Sequence, residues 1–393
     1  MHTPATLVRG GTSKCWLFSQ VHVPTDRTAL EQILVGAYGS ADPVELDGVG
    51  GATPTTSKAA VVSVSPADGI DVDYLFAQVG IGTGTVEWGS NCGNCATGVA
   101  LYAVAKGLVP LAGDRTRVVM RNTNTGAVLE GIVDTTGGRV REFGEQTVPG
   151  TRAGGVAVGL TFLRPAGRST GALLPTGSAA QYLTVDGIAG ATTSATMGAT
   201  TAPRVSMVDA GAPVVLVDAE RAGRTGAETL EQVRDDVPWL RAVRHTAAPL
   251  MGLVAPGGEP GDAVPKVGLV GPPAPYVTTL GEHVSARDYD LSVRMLSMNS
   301  PHPVIGLTSA VAVAAAARID GSVVADAATA HGGEHDDEHG GEWLRIGTPA
   351  GVVAVRCTGG TPHHPERVTV QRAARILADA RIYVPEHGAV TAA

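Results

Sequence analysis

The chain has 393 residues, of which 44% are hydrophobic and 17% charged, with a formal net charge of −8. This length predicts two domains, and the apolar content is sufficient for two cores. The negative charge without a basic cluster argues against nucleic-acid binding, and the longest apolar run, residues 310–317, is too short to span a membrane. Four cysteines are too few for a disulfide framework and the first residues lack the pattern of a signal peptide, so we expect a cytoplasmic protein.

The first predicted elements are two strands, residues 5–8 and 15–18, joined by a tight turn. A glycine pair between two apolar runs predicts such a turn. Arg9 and Lys14 in it are donors suited to a carboxylate or a phosphate, and Thr12 and Ser13 add hydroxyl groups. A solvent-exposed turn without a ligand is the alternative interpretation.

A helix is predicted over residues 28–38, and a glycine-rich stretch over residues 47–58 follows it. The stretch lacks the spacing of a nucleotide-binding phosphate loop, and a strand, residues 59–64, comes after it in place of a helix. We therefore interpret Thr56, Ser57 and Lys58 as the end of a polar loop that places Lys58 at the start of a buried strand.

The segment Asn91-Cys92-Gly93-Asn94 precedes a small-residue helix predicted over residues 96–106. Unpaired N–H groups and the helix dipole at such a position favour negative charge, so we expect the pKa of Cys92 to be lowered. Gly93 allows close approach of the backbone to a ligand. This segment is therefore a candidate anion site beside a thiolate.

Later parts of the chain are predicted to be rich in strands, with a helix over residues 227–235. The segment from Ser297 and Met298 to His302 precedes a second small apolar helix, residues 306–318. Residues 372–377 are predicted as a helix and residues 380–384 as a last strand. Two polar loops that each precede an apolar helix indicate two related halves and an α+β protein.

A histidine- and acid-rich string spans residues 331–341. His335 and His339 could share a metal if the string were helical. Glycine pairs at both ends favour a solvated loop, which is our prediction.

Several motifs, in order along nearly the whole chain, resemble the PrpF family. They are Arg9–Lys14, residues 47–51, Thr56–Lys58, residues 71–79, Asn91–Asn94, residues 209–211, Ser297-Met298 with His302, and residues 381–385. The family's activities include 2-methylaconitate cis–trans isomerase, methylitaconate Δ-isomerase and 4-oxalomesaconate tautomerase. The resemblance implies a diaminopimelate-epimerase-like α+β fold, in which two pseudo-symmetric domains each wrap a barrel-like sheet around a central helix, with the active site in the cleft between them.

The expected domains are residues 1–165 and 166–393, and a return of the last strand to the first domain is left open. The resemblance implies cofactor-independent proton movement on a small unsaturated di- or tricarboxylate, with no metal. It implies Lys58 and Cys92 as the catalytic pair. It also implies that the substrate is bound by Arg9, Thr12, Ser13, Lys14, Thr56, Ser57, Asn91, Gly93, Asn94, Lys266, Ser297, Met298 and His302. No nucleic-acid or membrane partner is expected, and a homodimer is left open.

Three departures from the family pattern leave the substrate open. Cys95 creates a C-x-x-C string, Ala212 replaces an expected asparagine, and Cys15 replaces an expected glycine. We interpret Cys95 as a small core-facing residue, and a specialised biosynthetic role or lost activity stays open. The alternatives are a two-thiol epimerase or racemase, a non-catalytic carboxylate-binding accessory protein, and a redox protein with a Cys92–Cys95 disulfide.

Overall fold

A computed structural model describes residues 2–89, 92–185, 202–255, 258–329 and 343–385. The chain divides into two compact units: unit 1 contains residues 1–161 and 371–393, and unit 2 contains residues 162–370. Strands β8, Val156–Leu163, and β19, His364–Tyr383, each cross from one unit to the other along the chain. The last part of β19 therefore belongs to the same unit as the N-terminus.

Unit 1 is a curved sheet around one helix. Its further strands are β1 His2–Gly10, β2 Ser13–Ser19, β3 Lys58–Val64, β4 Val72–Val79, β5 Val86–Glu87, β6 Arg115–Asn122 and β7 Val128–Asp134. The order across the sheet is β8-β19-β1-β2-β3-β4-β6-β7, with β2–β3 and β4–β6 parallel and β5 paired to β4. Helix α2, Gly93–Ala105, contacts six of these strands and is buried from Cys95 to Val104.

Small side chains explain why α2 can lie inside the sheet. Its residues are mostly Gly, Ala, Val and Thr, so strands can approach it closely from several sides. Helix α1, Arg27–Tyr38, connects β2 to β3. Its buried face consists of Leu30, Ile33, Leu34, Ala37 and Tyr38. Asp26 caps α1 by accepting a hydrogen bond from the Ala29 N–H, and Gly39 ends the helix in the left-handed conformation.

Unit 2 repeats this arrangement. Its strands are β9 Gln181–Tyr182, β10 Arg204–Ala210, β11 Ala212–Asp218, β12 Lys266–Gly271, β13 Tyr276–Val277, β14 His283–Val284, β15 Leu291–Ser297, β16 Ser300–Pro301, β17 Leu344–Thr348 and β18 Gly351–Thr361. The order is β9-β10-β11-β12-β15-β17-β18-β19, with β11–β12 and β15–β17 parallel, while β13 and β14 form a separate hairpin. Helix α4, Leu307–Ala316, is buried from Ser309 to Ala316. Helix α3, Leu230–Leu250, connects β11 to β12, and α5 spans Val323–Thr329.

Several sequence-based boundaries are corrected by the structure. The helix predicted over residues 96–106 begins at Gly93, and the helix predicted over residues 227–235 runs from Leu230 to Leu250. The prediction of a helix over residues 372–377 is wrong, because β19 continues through this segment and pairs with β1. The string at residues 331–341 lies outside the described residues.

Candidate active site

Lys58 is the first residue of β3 and is only 8% exposed. Its Nζ donates a hydrogen bond to Oε1 of Gln78, which is the residue opposite it on β4. Gln78 Nε2 in turn donates to the Ser57 carbonyl at 3.0 Å, so the amide of Gln78 is fixed. Lys58 takes part in none of the ion pairs found among the described residues. The amine is therefore held by a neutral partner and is not neutralised by a carboxylate.

The loop before β3 holds Lys58 in place. The buried Ser57 hydroxyl donates to Oε2 of Glu45 at 2.5 Å, and the same oxygen accepts the Ala52 N–H at 2.6 Å. The Thr56 hydroxyl lies 2.7 Å from that of Thr53. Both hydroxyl groups thus have partners within the loop, where they fix the backbone that leads into Lys58.

Cys92 is the N-cap residue of α2, and its carbonyl accepts the Ala96 N–H at 2.9 Å. The hydrogen bond between the Cys92 and Cys95 thiols, followed by burial, raises the pKa of Cys92 well above its ordinary value. The charge of Lys58 acts in the opposite direction and lowers it. The expected lowering of this pKa is therefore wrong, because the thiol contact and burial outweigh the positive charge of Lys58.

Three cysteines lie together at this end of α2. Cys95 is buried, as the sequence predicts, and burial followed by a hydrogen bond to Cys15 raises its pKa. The Cys15 thiol lies 3.8 Å from the Trp16 carbonyl, to which it donates. None of Cys15, Cys92, Cys95 and Cys357 forms a disulfide in this structure.

Asn94 connects the first turn of α2 to the turn between β1 and β2. Its Nδ2 donates to the hydroxyl groups of Thr12 at 3.1 Å and Ser13 at 3.3 Å. Its Oδ1 accepts a hydrogen bond from Arg372 at 2.6 Å. Gly93 is the first residue of α2, and Asn91 lies outside the described residues.

The glycine pair between β1 and β2 permits this contact. A Cβ atom added at Gly10 would lie 2.0 Å from the Asn94 carbonyl oxygen, and one at Gly11 would lie 2.2 Å from Asn94 Oδ1. Gly11 also has a φ of +54°, a conformation that other residues rarely adopt. Because Gly10 and Gly11 have no side chains, the turn can lie directly against the start of α2.

Arg9 and Lys14 face each other across the β1–β2 hairpin. Arg9 donates to the Gly11 carbonyl at 3.1 Å and to the Gly154 carbonyl at 2.9 Å. The Lys14 side chain is exposed, while its backbone N–H donates to the Thr55 carbonyl at 2.9 Å. The turn is thus tied to the loop that leads into Lys58.

Two residues of this cluster were missed by the sequence-based prediction. Gln78 lies within the motif at residues 71–79, but no spacing rule indicated that its side chain faces Lys58. Arg372 is far from Cys92 in sequence and lies in a segment that was predicted as a helix. No local pattern indicates that Arg372 reaches the start of α2.

A second cluster lies in unit 2. Lys266 is the first residue of β12, and burial, followed by the charge of Arg244, lowers its pKa. His302 Nδ1 accepts the Val304 N–H at 3.0 Å, which leaves the other ring nitrogen as the donor of the neutral ring. Burial, followed by the charge of Lys266, lowers the pKa of His302 to about 4.

The β15–β16 turn contains the other predicted residues of unit 2. Ser297 is exposed at the end of β15, and Met298 is 56% exposed with a φ of +54°. The Met298 carbonyl accepts a hydrogen bond from Arg244 at 2.9 Å, and Arg244 also donates to Asn299 Oδ1 at 2.8 Å. The backbone of this turn is therefore fixed by a buried arginine, while the two side chains remain accessible.

Among the described residues, no group of three or more His, Cys, Asp or Glu side chains could hold a metal ion. No described helix combines the length and apolar character needed to cross a bilayer.

A curved sheet around a buried small-residue helix, present in both units, defines a diaminopimelate-epimerase-like α+β protein. The family model described as PrpF protein matches residues 1–385, and the chain belongs to this family. It is 34% identical over 385 residues to a (4E)-oxalomesaconate Delta-isomerase of Novosphingobium sp., with 97% of each chain covered. It is 33% identical over 403 residues to a 2-methyl-aconitate isomerase of Shewanella oneidensis, with 97% of this chain and 96% of the relative covered.

Among solved structures, the crystal structure of a methylitaconate-delta-isomerase matches with a TM-score of 0.85 at 30% identity. The match covers 98% of this chain and 96% of that one. The named relatives are isomerases, and this chain is an isomerase of the same family.

Proposed function

We propose that the chain is a cofactor-independent isomerase that moves a proton on a small unsaturated di- or tricarboxylate. The observation that carries the proposal is that the buried Lys58 amine and the Cys92 thiol at the start of α2 lie close enough to interact electrostatically. An amine and a thiol in one partly buried cluster supply a proton acceptor and a proton donor. Relatives named for methylaconitate, methylitaconate and oxalomesaconate support this substrate class.

The proposed reaction begins with Lys58. In its neutral form, Lys58 Nζ takes a proton from an allylic carbon of the substrate, and the electron pair of that C–H bond spreads into a dienolate. Positive charge and N–H groups at the start of α2 stabilise the negative charge that develops. Rotation of the delocalised intermediate gives a cis–trans isomer, and protonation at another carbon shifts the double bond.

Cys92 returns the proton in this proposal. Because the pKa of Cys92 is raised in the ligand-free site, the group is a thiol near neutral pH and can donate. After donation, the thiolate recovers a proton from the Lys58 ammonium, which restores both groups. The site thus needs no net proton and no cofactor.

Carboxylate binding is proposed for both clusters. In unit 1, Arg9 and Lys14 supply positive charge, and further contacts come from Thr12, Ser13, Asn91, Gly93 and Asn94, while Thr56 and Ser57 fix the backbone that leads into Lys58. In unit 2, we propose binding by Lys266, Ser297, Met298 and His302. We further propose a cytoplasmic location, where free thiols persist, and a homodimer stays a prediction.

Deuterium incorporation tests the proposal. The full chain is incubated in heavy water with 2-methylaconitate, methylitaconate, oxalomesaconate and aconitate, and the acids are analysed by NMR and mass spectrometry. We expect deuterium at a carbon of at least one acid together with an isomerised product. Lys58→Ala and Cys92→Ser should each reduce kcat/KM by about 10²-fold or more, because each removes one proton-transfer group.

Matched variants control for general damage. Lys106→Ala removes a surface lysine that pairs with Asp379, and Cys357→Ser removes a thiol of β18; both should retain the wild-type exchange rate. Absence of exchange with every acid, combined with tight binding of one of them, would instead support a carboxylate-binding accessory protein.

A further inference from the structure

Arg372 is a buried cation with almost no partners. It is 4% exposed, and its one hydrogen bond within the described structure is the 2.6 Å contact from an NH2 group to Asn94 Oδ1. Its Nε is buried and has no hydrogen-bond partner. A guanidinium group has five N–H donors, so most of its capacity is unused.

No carboxylate of the described residues neutralises Arg372 or its neighbours. Arg9 lies directly opposite Arg375 in the β1–β19 pairing, and neither they nor Arg372 takes part in an ion pair found there. Arg375 Nε is also buried without a hydrogen-bond partner, and the guanidinium of Arg375 lies 4.7 Å from the centre of the Phe143 ring. Like charges opposite each other and a buried charge without a counter-ion both cost free energy. The arginine cluster, defined as Arg372 and Arg9, whose charge acts on it, therefore has the electrostatics of an anion site.

The position of Arg372 links this cluster to the thiol. Its guanidinium lies against Gly11, where an added Cβ would be 2.3 Å from the NH2 group, and beside the first turn of α2. Burial lowers the pKa of Arg372 to about 10, although a negative charge on Cys92 acts in the opposite direction and raises it. Even so, the group is charged near neutral pH and lies within electrostatic reach of Cys92.

We propose that Arg372 binds a carboxylate of the substrate and thereby holds the adjacent carbon against the Cys92 thiol. This inference rests on the proposed function for the identity of the ligand. The unused terminal N–H groups of Arg372 provide a bidentate contact, which suits a planar carboxylate. Arg9 supplies charge for a second carboxylate, so the site favours a di- or tricarboxylate over a monoacid.

A ligand-binding experiment separates this role from a structural one. Tricarballylate, a saturated triacid that cannot isomerise, is titrated into the wild type, Arg372→Met and Arg372→Lys while the thermal unfolding midpoint is followed. The wild type should be stabilised by the acid. Arg372→Met should weaken binding at least tenfold, yet unfold at the same or a higher temperature without ligand, because it removes an uncompensated buried charge.

Arg372→Lys should bind with intermediate affinity, since it keeps the charge but loses the bidentate geometry. The control is Arg381→Met, which changes an exposed arginine of the same strand and should bind as the wild type does. A lower midpoint for ligand-free Arg372→Met, with unchanged affinity for tricarballylate, would show that Arg372 has a structural role and would overturn the proposal.

Alkylation of Cys92 provides a second readout that does not require turnover. The rates with anionic iodoacetate and neutral iodoacetamide are measured by mass spectrometry of the peptide that contains Cys92. The rate with iodoacetate divided by the rate with iodoacetamide is independent of the intrinsic reactivity of the thiol. At Cys92 this ratio should fall several-fold in Arg372→Met. At Cys357, the internal reference, the ratio should stay constant. An unchanged ratio at Cys92 would contradict the placement of an anion beside the thiol.

The two proposals can fail separately. If tricarballylate binds through Arg372 but no acid exchanges deuterium, the anion site stands and the isomerase chemistry is wrong. If deuterium exchange proceeds normally in Arg372→Met, the chemistry stands and the assignment of Arg372 is wrong.

Discussion

Single side chains in each unit show how hydrogen bonding and burial set the protonation of a titratable group. Cys92 and His302 are both partly buried, and in both the neutral form is favoured. Their pKa values move in opposite directions, because the charged form is the anion of cysteine and the cation of histidine. Near neutral pH the thiol and the imidazole are therefore neutral, and each carries a proton that it can donate.

The pH dependence of the free energy of unfolding should reflect the protonation of His302. Its pKa is 6.5 in a free chain and about 4 in the folded protein, so between these values only the unfolded state binds a proton there. The stability that neutral His302 contributes is complete above pH 6.5 and is lost as pH falls toward 4, by at most about 3 kcal/mol. Urea unfolding at pH 4.5 and 7.5 should show a smaller difference for His302→Gln than for the wild type.

His283→Gln is the control, because it changes an exposed histidine of the same unit. Equal pH dependence in His302→Gln and the wild type would contradict the assignment of this effect to His302.

At the scale of elements, the two units use the same connection to position a lysine. A strand, a helix and a parallel strand follow one another as β2-α1-β3 in unit 1 and as β11-α3-β12 in unit 2. Lys58 and Lys266 are each the first residue of the returning strand. Because the start of that strand is fixed by pairing, both amines are placed by sheet register and not by loop flexibility.

The crossing of β1 over α2 is sensitive to a single methyl group. Gly10→Ala would place a Cβ 2.0 Å from the Asn94 carbonyl oxygen and 2.8 Å from the Gly98 nitrogen. Since both are backbone atoms, α2 must shift, and we expect a loss of about 2–4 kcal/mol in stability together with most of the activity. Chemical denaturation and the deuterium-exchange assay measure the two effects.

Gly36→Ala is the matched control within unit 1. Its Cβ would make ordinary contacts of 3.5 Å with Val384 and 3.6 Å with Pro385, and it lies inside α1. Alanine is the better helix former, so stability should stay constant or rise by up to about 1 kcal/mol. A Gly10→Ala protein as stable and active as Gly36→Ala would refute the close packing of β1 on α2.

Local composition predicted some elements well and others poorly, for physical reasons. The apolar, small-residue pattern that identified α2 and α4 is what allows them to be surrounded by strands. Helix α3 continues through Pro238 and Pro249, well beyond its predicted end, although proline normally ends a helix. Residues 372–377 contain alanines and aliphatic residues that suit a helix, but pairing with β1 determines their conformation.

In the candidate site, too, residues in local motifs were predicted and residues positioned by long-range contacts were missed. Lys58 and Cys92 were named because each lies in a short motif that resembles the PrpF family. Gln78 and Arg372 were missed because their contacts depend on strand pairing between distant parts of the chain. The direction of the pKa shift of Cys92 also depended on such a contact, since its first cause is the hydrogen bond to Cys95.

At the scale of the whole molecule, unit 1 is discontinuous in sequence. Residues 1–161 form most of it, and residues 371–393 return to it after the chain has passed through unit 2. The returning segment pairs with β1 from His2 to Gly10 and contributes Ile382 and Val384 to the apolar core of unit 1. It also carries Arg372, so the fold and the proposed anion site of unit 1 depend on the same strand.

Truncation tests this dependence. A chain that ends at Val370 should lose the ordered structure of unit 1 and the binding of tricarballylate, because β1 then lacks its partner. Limited proteolysis should cut within residues 1–161. A chain that ends at Pro385, where the family match also ends, should behave like the full chain. Protease resistance and binding in the shorter chain would show that unit 1 does not need the returning strand.

The return of β19 also has a consequence for biosynthesis. Roughly 200 residues separate the first part of unit 1 from the strand that completes it, which is about 10–40 s of translation at 5–20 residues per second. Throughout that interval the outer edge of β1 has unpaired backbone groups on the nascent polypeptide. Chaperones that shield such edges near the ribosome would therefore be expected to raise the yield of native enzyme.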